Sequence, residues 1–240
     1  MKITFLGTSH GVPSEERYCQ SMLLEIGENA YLIDAGAPVM NILLRRHFDL
    51  NRLKAIFLTH MHGDHTHGLP ELLDLSCWYF KTTDYDVYMT EEGRMNAILT
   101  LLDRYPNPRI RPHLIGPGFT YEKDGLKVTA FPNGHMIREN RPAYSYLIEA
   151  EGKRLYISGD LNPDTIDYPA EADEKPSDAM VVECAHFPAE KLLEKLQNCK
   201  AGKIIIVHVH PVSKYETFIA AQDTFGRPLL LPNDGDTIEI

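Results

Sequence analysis

Long apolar runs and paired cysteines are both missing from this sequence of 240 residues. No apolar segment approaches the roughly 20 residues that a membrane-spanning helix needs. Residues 1–7 have the pattern of a first strand rather than of a signal peptide, so we expect a cytoplasmic protein without a membrane partner. The four cysteines are far apart and form no Cys-x-x-Cys pair, which argues against a disulfide framework and a thiolate zinc site.

Basic residues are also scarce relative to acidic ones. The chain has 24 Lys and Arg against 34 Asp and Glu, a formal net charge of -10. Nucleic-acid affinity depends on neutralising phosphates with basic side chains, so this balance disfavours a large nucleic acid and favours a small-molecule substrate. No Gly- and Ser-rich linker or short repeat divides the chain, and its length suits a single domain over residues 1–240.

Hydrophobic periodicity predicts strands that alternate with helices. The predicted strands cover residues 2–6, 21–26, 30–33, 53–58, 87–89, 126–131, 143–149, 154–157, 179–182 and 204–207. The predicted helices cover residues 38–48, 70–80, 91–105, 189–196 and 213–224. Residues 162–176, which are acidic and contain proline, are predicted to form a long surface loop. The alternation indicates an α/β protein.

The segment Thr-His-Met-His-Gly-Asp-His at residues 59–65 directly follows a buried predicted strand. Three imidazoles and one carboxylate, from His60, His62, Asp64 and His65, thus occupy six residues of chain. Imidazole nitrogen and carboxylate oxygen are ligands that zinc, manganese and iron accept. This segment therefore predicts a metal site.

Three further predicted strands are each followed by a potential ligand. These residues are His135, Asp160 and His208. In open α/β sheets, sites are usually built at the carboxyl ends of the strands. We therefore expect these three residues to share one site with the His60–His65 cluster.

The combined motifs resemble the metallo-β-lactamase superfamily. They comprise Thr-His-x-His-x-Asp-His-x-x-Gly, a Gly-His, a Ser-Gly-Asp and a later strand-terminal His. The segments at residues 5–13 and 32–36 are similar to the subgroup of ribonuclease Z and the PhnP-like cyclic phosphodiesterases. The resemblance implies a four-layer αββα sandwich with two divalent metal ions, zinc first and manganese or iron as alternatives. It also implies a first ion on His60, His62 and His135, a second on Asp64, His65 and His208, Asp160 as a bridge, and Asp34 orienting a ligand histidine.

Such a site predicts a metal-dependent hydrolase. Two ions about 3.5 to 4 Å apart can share a hydroxide nucleophile and grip a phosphoryl oxygen, so the resemblance implies a phosphodiesterase on a small cyclic or linear phosphodiester. The arm with which ribonuclease Z clamps tRNA is inserted between the Gly-His and Ser-Gly-Asp motifs. Here Asp160 follows His135 by only 25 positions (160 − 135), which leaves no room for that arm.

Other polar residues near these motifs are candidates for catalysis or substrate contact. Asp64 is a catalytic candidate as well as a ligand, Glu183 matches the Glu of a His-Glu-Ala-Thr motif in related enzymes, and His186 replaces its missing His as a candidate general acid. The remaining candidates for supporting or substrate contacts are His10, His67, His210, Arg138 and Arg141.

Two other functions fit the same ligands. The site could hydrolyse an ester or lactone, because a metal ion also polarises a carbonyl. The resemblance implies for that case a tyrosine over the metals, as in lactonases of the superfamily, with Tyr215 or Tyr168 as the candidates. It could instead belong to a non-catalytic metal-bound sensing module, which retention of Asp64 and Asp160 disfavours because purely structural sites close with four ligands. The sequence leaves open the natural substrate, the metal used in the cell and whether the chain forms a homodimer.

Overall fold

A computed structural model describes residues 1–102 and 107–240. The chain forms two compact units. The first comprises residues 1–116 with 234–239, and the second residues 117–233 with 240. In the part of the chain that the structure describes, no helix is long and apolar enough to cross a membrane.

The first unit is built on a seven-stranded mixed sheet with the order β14-β1-β2-β3-β4-β5-β6. Its strands are β1 (Lys2–Gly7), β2 (Ser21–Ile26), β3 (Asn29–Ile33), β4 (Leu53–Phe57), β5 (Tyr85–Met89), β6 (Ile110–Leu114) and β14 (Thr237–Glu239). Strands β3 to β6 are parallel, and the other pairs are antiparallel. Its helices are α1 (Val39–Arg45), α2 (Gly63–Thr66), α3 (Leu69–Trp78) and α4 (Glu92–Leu101).

The core of this unit lies where helices cover its sheet. Val39 and Leu43 of α1 and Leu72 of α3 are buried in one cluster with Leu32 and Ile56 of the central strands. Strands buried on both faces are continuous apolar runs rather than alternating ones, as residues 30–33 of β3 and 55–57 of β4 are. This burial fixes the carboxyl end of β4, from which the histidine-rich loop departs.

The second unit also contains a seven-stranded mixed sheet, with the order β13-β12-β11-β10-β9-β8-β7. Its strands are β7 (Thr120–Lys123), β8 (Leu126–Asn133), β9 (Ala143–Ala150), β10 (Lys153–Ile157), β11 (Ser177–Cys184), β12 (Ala201–Val209) and β13 (Leu229–Leu230). Strands β10 to β13 are parallel, and β7 to β10 are antiparallel. Its helices are α5 (Glu171–Glu174), α6 (Ala189–Leu196) and α7 (Lys214–Ala221).

The predicted strands are all present, whereas four observed strands were not predicted. These four, β6, β7, β13 and β14, are the outer strands of the two sheets. Edge strands are short or polar because one side has no partner, and β6 contains Pro112. Their sequences therefore lack the apolar pattern that marks a buried strand.

One predicted helix and one predicted loop differ from the structure in part. The helix predicted over residues 91–105 is observed as α4, and its predicted end at Tyr105 lies outside the described residues. Residues 162–176 form a loop except for α5, as predicted, but this loop does not lie wholly at the surface, because Ile166, Tyr168 and Ala172 are buried in the core of the second unit. Apolar residues spaced without a regular period gave no sign of this burial.

Candidate metal centre

The histidine-rich loop of the first unit joins β4 to the short helix α2. His60 and His65 are buried, and His62 and Asp64 are partly exposed. His60 Nε2 lies 2.9 Å from His62 Nδ1, and His65 Nε2 lies 3.5 Å from Asp64 Oδ2. The turn is closed by a hydrogen bond of 2.8 Å from Thr66 Oγ1 to the His62 carbonyl. Four potential ligands are therefore presented together by one short segment.

Asp34 lies beneath this loop, directly after β3. Its carboxylate is 1% exposed, and Oδ2 lies 2.7 Å from His65 Nδ1. Oδ1 accepts hydrogen bonds from the Thr59 amide at 2.8 Å and from Thr59 Oγ1 at 3.0 Å. Thr59 Oγ1 is also 3.1 Å from His60 Nδ1. This arrangement fixes the ring orientation of His65 and directs its Nε2 away from Asp34.

The backbone around Asp34 is shaped for this close packing. Asp34 itself has a positive φ of 61°, an uncommon conformation for a residue other than glycine. The Ala35 amide donates to the His65 carbonyl at 2.8 Å, and a Cβ on Gly36 would collide with the Asp64 carbonyl. Glycine is therefore required at position 36 by the close approach of these two backbone segments.

Asp160 is the centre of the candidate site in the second unit. It follows β10, is 3% exposed, and is surrounded by three histidines from other strand ends. Its Oδ2 lies 3.6 Å from His135 Nε2 and 3.9 Å from His186 Nε2, whereas Oδ1 lies 3.7 Å from His208 Nδ1. The two carboxylate oxygens thus face different histidines.

His208 reaches Asp160 because β12 is irregular at this residue. The pairing of β11 with β12 shifts between Glu183, opposite Val207, and Cys184, opposite Val209, and His208 has a positive φ of 51°. A bulge of this kind redirects one side chain out of the alternation of the strand. The sequence predicted that the strand ends at Val207, which was wrong, because β12 continues through the bulge to Val209.

Glu183 supports His186 in the same unit. Its carboxylate is buried, and Oε1 lies 2.7 Å from His186 Nδ1. The same carboxylate accepts hydrogen bonds from the amides of Leu161 at 3.0 Å and Ala185 at 2.6 Å. Glu183 therefore acts on the histidine and on the backbone around it, and His186 Nε2 is left facing Asp160.

The electrostatic environment of His135 suits a neutral imidazole. Burial lowers the pKa of His135, and its proximity to Asp160 offsets only part of that effect. Metal binding requires the neutral form of histidine. The lowered pKa favours this neutral form of His135 at neutral pH.

The donor atoms in each unit fit a divalent ion. Zinc bonds to nitrogen and oxygen at about 2.0–2.2 Å in a tetrahedral arrangement, which places neighbouring donors about 3.4 Å apart. Donor separations of 2.9 and 3.5 Å in the first unit and of 3.6 and 3.7 Å in the second are close to this value. The His and Asp cluster of this chain therefore fits a metal site.

A cavity of about 740 Å³ in the first unit adjoins the histidine-rich loop. Its walls are Gly11, Pro13, Ser14, Tyr18, Cys19, Ala37 and Pro38, together with His62, Gly63, Asp64 and His67. Asp234 holds the segment after β1 in place by accepting hydrogen bonds from the Thr8 amide at 2.9 Å and the Tyr18 amide at 2.5 Å. Sequence reasoning missed Tyr18 and Asp234, because 216 positions separate the two residues.

The histidines predicted to be supporting or substrate residues are His10 and His67 in the first unit and His210 in the second. His10 is partly exposed and accepts a hydrogen bond from the Val12 amide at its Nδ1. His67 is exposed on the wall of the cavity. His210 is exposed, and its amide donates to the Cys184 carbonyl at 3.3 Å.

The arginines named as substrate contacts follow His135. Arg138 pairs with Asp164 at 3.0 Å, and both side chains are more than 70% exposed. Arg141 is partly exposed, and its amide donates to the Met136 carbonyl. Neither contact assigns these arginines to substrate binding.

The two tyrosines considered for lactone hydrolysis lie in the core of the second unit or against it. Tyr168 is 4% exposed, and its hydroxyl donates to Asp173 Oδ1 at 2.7 Å. Burial raises the pKa of this phenol well above its usual range. Tyr215 packs against the same core. The placement of Tyr168 disagrees with a role above the metal ions.

Comparison with curated proteins finds ribonucleases. Ribonuclease BN of Proteus mirabilis (strain HI4320) is 30% identical over 173 residues, which are 70% of this chain and 54% of that protein. Ribonuclease Z of Microcystis aeruginosa (strain NIES-843 / IAM M-2473) is 34% identical over 154 residues, 62% of this chain and 46% of that protein. The chain thus spans about half the length of the curated relatives it matches.

Comparison with solved structures identifies the fold. The metallo-β-lactamase fold protein YhfI from Bacillus subtilis matches with a TM-score of 0.82 and 16% identity, over 100% of this chain and 99% of that one. A diphosphatase from the PhnP family matches with a TM-score of 0.73 and 19% identity, over 100% and 97% of the two chains. At these identities the likeness concerns the fold alone.

The αββα fold class expected from the sequence is therefore confirmed as the metallo-β-lactamase fold. The chain therefore combines this fold with a His and Asp cluster that fits a metal site. More specifically, a family model described as "Anti-Pycsar protein Apyc1" matches residues 1–211, and the chain belongs to this family.

Proposed function

We propose that this protein is a phosphodiesterase with a dinuclear metal site, acting on a small cyclic or linear phosphodiester. The observation that carries the proposal is the position of Asp160. One of its oxygens faces His135, and the other faces His208, as expected of a carboxylate shared by two ions.

Four of the proposed ligands belong to the histidine-rich loop after β4, and the other three belong to the second unit. His60, His62 and His135 would hold the first ion, Asp64, His65 and His208 the second, and Asp160 both. When bound, the two ions would lower the pKa of a water molecule from 15.7 towards 7 and stabilise the charge on a phosphoryl oxygen. Zinc is the first choice because the set contains five histidines and two aspartates, and manganese or iron also accepts these ligands.

The protein side chains would orient these ligands and move a proton. Asp34 fixes the Nδ1 side of His65 at 2.7 Å, so that Nε2 is the ligand atom. Glu183 holds His186 Nδ1 at the same distance and would stabilise the charged imidazolium. His186 would then donate its Nε2 proton to the oxygen of the leaving group, which general acid catalysis requires at hydrogen-bond range.

A small substrate is supported by charge and by chain length. The formal net charge is -10, and only 25 positions separate His135 from Asp160 (160 − 135). The cavity of about 740 Å³ beside His62 and Asp64 contains no Lys or Arg among its lining residues in the described part of the chain. It would accommodate the neutral organic part of a phosphodiester better than a polyanion.

The first test is an activity screen with purified protein of measured metal content. We expect turnover of at least one member of a phosphodiester panel that includes bis(p-nitrophenyl) phosphate, and silence on a parallel lactone panel. Turnover of lactones alone would replace the proposal with ester hydrolysis. Silence on both panels with two ions bound would favour a non-catalytic sensing module.

Substitution of Asp64 separates catalysis from folding. We expect Asp64→Asn to reduce kcat to background while the thermal unfolding transition is retained, because Asp64 is partly exposed beside the cavity and its loss removes a ligand charge. Asp74→Asn on α3 is the control, since it makes the same chemical change away from the ligand loop. Full activity in Asp64→Asn would contradict the ligand assignment. A cytoplasmic location and a single domain over residues 1–240 stay predictions.

A further inference from the structure

The first turn of α7 places a lysine over the loop that carries His186. Lys214 Nζ donates hydrogen bonds to three backbone carbonyls of that loop, those of Cys184 at 2.9 Å, Ala185 at 3.1 Å and Phe187 at 2.7 Å. An ammonium group has three protons to donate, so these three bonds use its full capacity.

Glu183 binds the same loop from its amide side. Its Oε2 accepts from the Ala185 amide at 2.6 Å and from the His186 amide at 3.3 Å, and its Oε1 holds the His186 ring. The loop of residues 184–187 is thus fixed by a carboxylate on its amides and an ammonium on its carbonyls. Backbone amides and carbonyls that are no longer paired within a sheet need other hydrogen-bond partners. In this loop the charged side chains of Glu183 and Lys214 are those partners.

The position of Lys214 on its helix indicates that the loop contact is what favours lysine there. Lys214 is the first residue of α7, and the amino-terminal end of a helix carries a partial positive charge that disfavours a cation. Three carbonyl dipoles directed at the ammonium offset this repulsion. The lysine therefore contributes little to helix stability but much to the conformation of the loop.

We propose that Lys214 is a positioning residue for the proton donor His186, and that without it His186 Nε2 no longer lies at a fixed distance from Asp160. This inference rests on the proposed phosphodiesterase function. Its consequence is selective. Loss of Lys214 should slow substrates whose leaving group must receive a proton and should spare those whose leaving group departs as a stable anion.

The experiment compares Lys214→Met, Lys214→Arg and the control Lys200→Met on two substrates. Lys200 is an exposed lysine of the same unit that donates to one carbonyl, that of Glu174. The first substrate is bis(p-nitrophenyl) phosphate, whose leaving group needs no proton. The second is a ribonucleoside 2′,3′-cyclic phosphate, whose leaving group is a sugar hydroxyl.

We expect Lys214→Met to lower kcat on the cyclic phosphate by about 10- to 100-fold, a part of the 10²- to 10⁴-fold that general acid catalysis supplies. The kcat on bis(p-nitrophenyl) phosphate should change by less than about threefold, and KM should change little on either substrate. Lys214→Arg should recover most of the loss because it keeps the charge and the donors, and Lys200→Met should behave as wild type. Equal losses on both substrates, or no loss, would overturn the proposal.

A second measurement keeps the two proposals separable. If wild-type protein hydrolyses no phosphodiester, the proposed function fails, and the role of Lys214 is then decided by amide hydrogen exchange. Exchange at residues 185–187 that is at least about tenfold faster in Lys214→Met than in Lys200→Met would support positioning of the loop. Equal exchange rates in the two variants would overturn it.

Discussion

The two units of this protein gather potential metal ligands in different ways. Each contains a seven-stranded mixed sheet with four neighbouring parallel strands. The first unit takes His60, His62, Asp64 and His65 from one loop after one strand. The second takes single residues from four strand ends, with intervals of 25, 26 and 22 positions between His135, Asp160, His186 and His208 (160 − 135, 186 − 160, 208 − 186).

The two units therefore differ in what fixes the mutual arrangement of their potential ligands. In the first unit, the mutual arrangement of ligands is a property of a short segment that a turn and a short helix can hold. In the second unit, it depends on the pairing of strands β8 to β12, because His135 follows β8, Asp160 follows β10 and His208 lies in β12. Disturbing the second sheet should therefore scatter its ligands, whereas the loop of the first unit should keep its own.

The two units nevertheless share one supporting device, a buried carboxylate beneath the ligand-bearing loop. Asp34 and Glu183 are each 1% exposed. Each accepts at least one hydrogen bond from a backbone amide and holds a histidine Nδ1 at 2.7 Å. The distinction is that His65 is a proposed ligand and His186 a proposed proton donor, so equivalent substitutions should have different consequences.

The largest expected effect follows from removing the charge of Asp160, on which the whole ligand set of the second unit converges. We expect Asp160→Asn to lower kcat to background and to reduce the bound metal from two ions per chain, because one carboxylate serves both proposed ions. Metal content by mass spectrometry and phosphodiester kinetics check this. Asp164→Asn is the control, since Asp164 is 71% exposed and pairs with Arg138. Two bound ions and near-normal kcat in Asp160→Asn would refute the bridging role.

The next effect concerns the supporting carboxylate of the first unit. Asp34→Asn keeps a side-chain oxygen for Thr59 but removes the negative charge beside His65. Substitutions of groups that orient metal ligands lower metal affinity or activity by about 10- to 100-fold, and we expect a loss of that size in metal affinity. Competition with a chelator of known affinity measures it. Unchanged affinity would mean that Asp34 supports the fold but not the ligand.

The matching substitution in the second unit should separate metal binding from proton transfer. We expect Glu183→Gln to leave metal affinity unchanged and to lower kcat by about 10- to 100-fold on substrates with an alkoxide leaving group, because proton donation contributes about 10²- to 10⁴-fold. The same chelator competition and kinetics serve both variants. If Glu183→Gln lost metal as Asp34→Asn does, the contrast between the two carboxylates would disappear.

The same contrast explains what could be predicted from the sequence. The ligands of the first unit are neighbours in the chain, so their spacing alone predicted a metal site, and the buried strands before His135, Asp160 and His208 were predicted for the second. The bulge at His208, the contact of Asp234 with Tyr18 and the bonds of Lys214 were not predicted. Each depends on residues brought together by tertiary packing or on a local φ value, neither of which leaves a periodic signal in the chain.

The smallest effect is expected at Asp86 of β5. Burial alone would raise the pKa of Asp86, but hydrogen bonds from Arg111 and His113 outweigh it and hold this pKa below its ordinary value. A carboxyl group whose pKa is lowered by folding stabilises the protein above its unfolded pKa of about 3.9 and loses that contribution as the pH falls through its folded pKa. The contribution of the ion pair to stability should therefore be present at neutral pH and absent in strong acid.

Arg111→Met tests this pH dependence. Because the Arg111 side chain is 37% exposed and solvent screens the pair, we expect the free energy of unfolding to fall by only about 0.5–1 kcal/mol at neutral pH. The difference from wild type should vanish as Asp86 becomes protonated, as measured by urea unfolding of metal-free protein at several pH values. Arg109→Met is the control, because Arg109 donates to the Lys81 carbonyl, which does not titrate, so any effect there should not depend on pH. Metal affinity should be unchanged in both variants, because the side chain of Arg109 bonds to the Lys81 carbonyl and that of Arg111 to Asp84, Asp86 and the Arg109 carbonyl. A loss of metal in Arg111→Met would show that the edge of the first sheet is coupled to its ligand loop, and the self-contained character of that loop would be refuted.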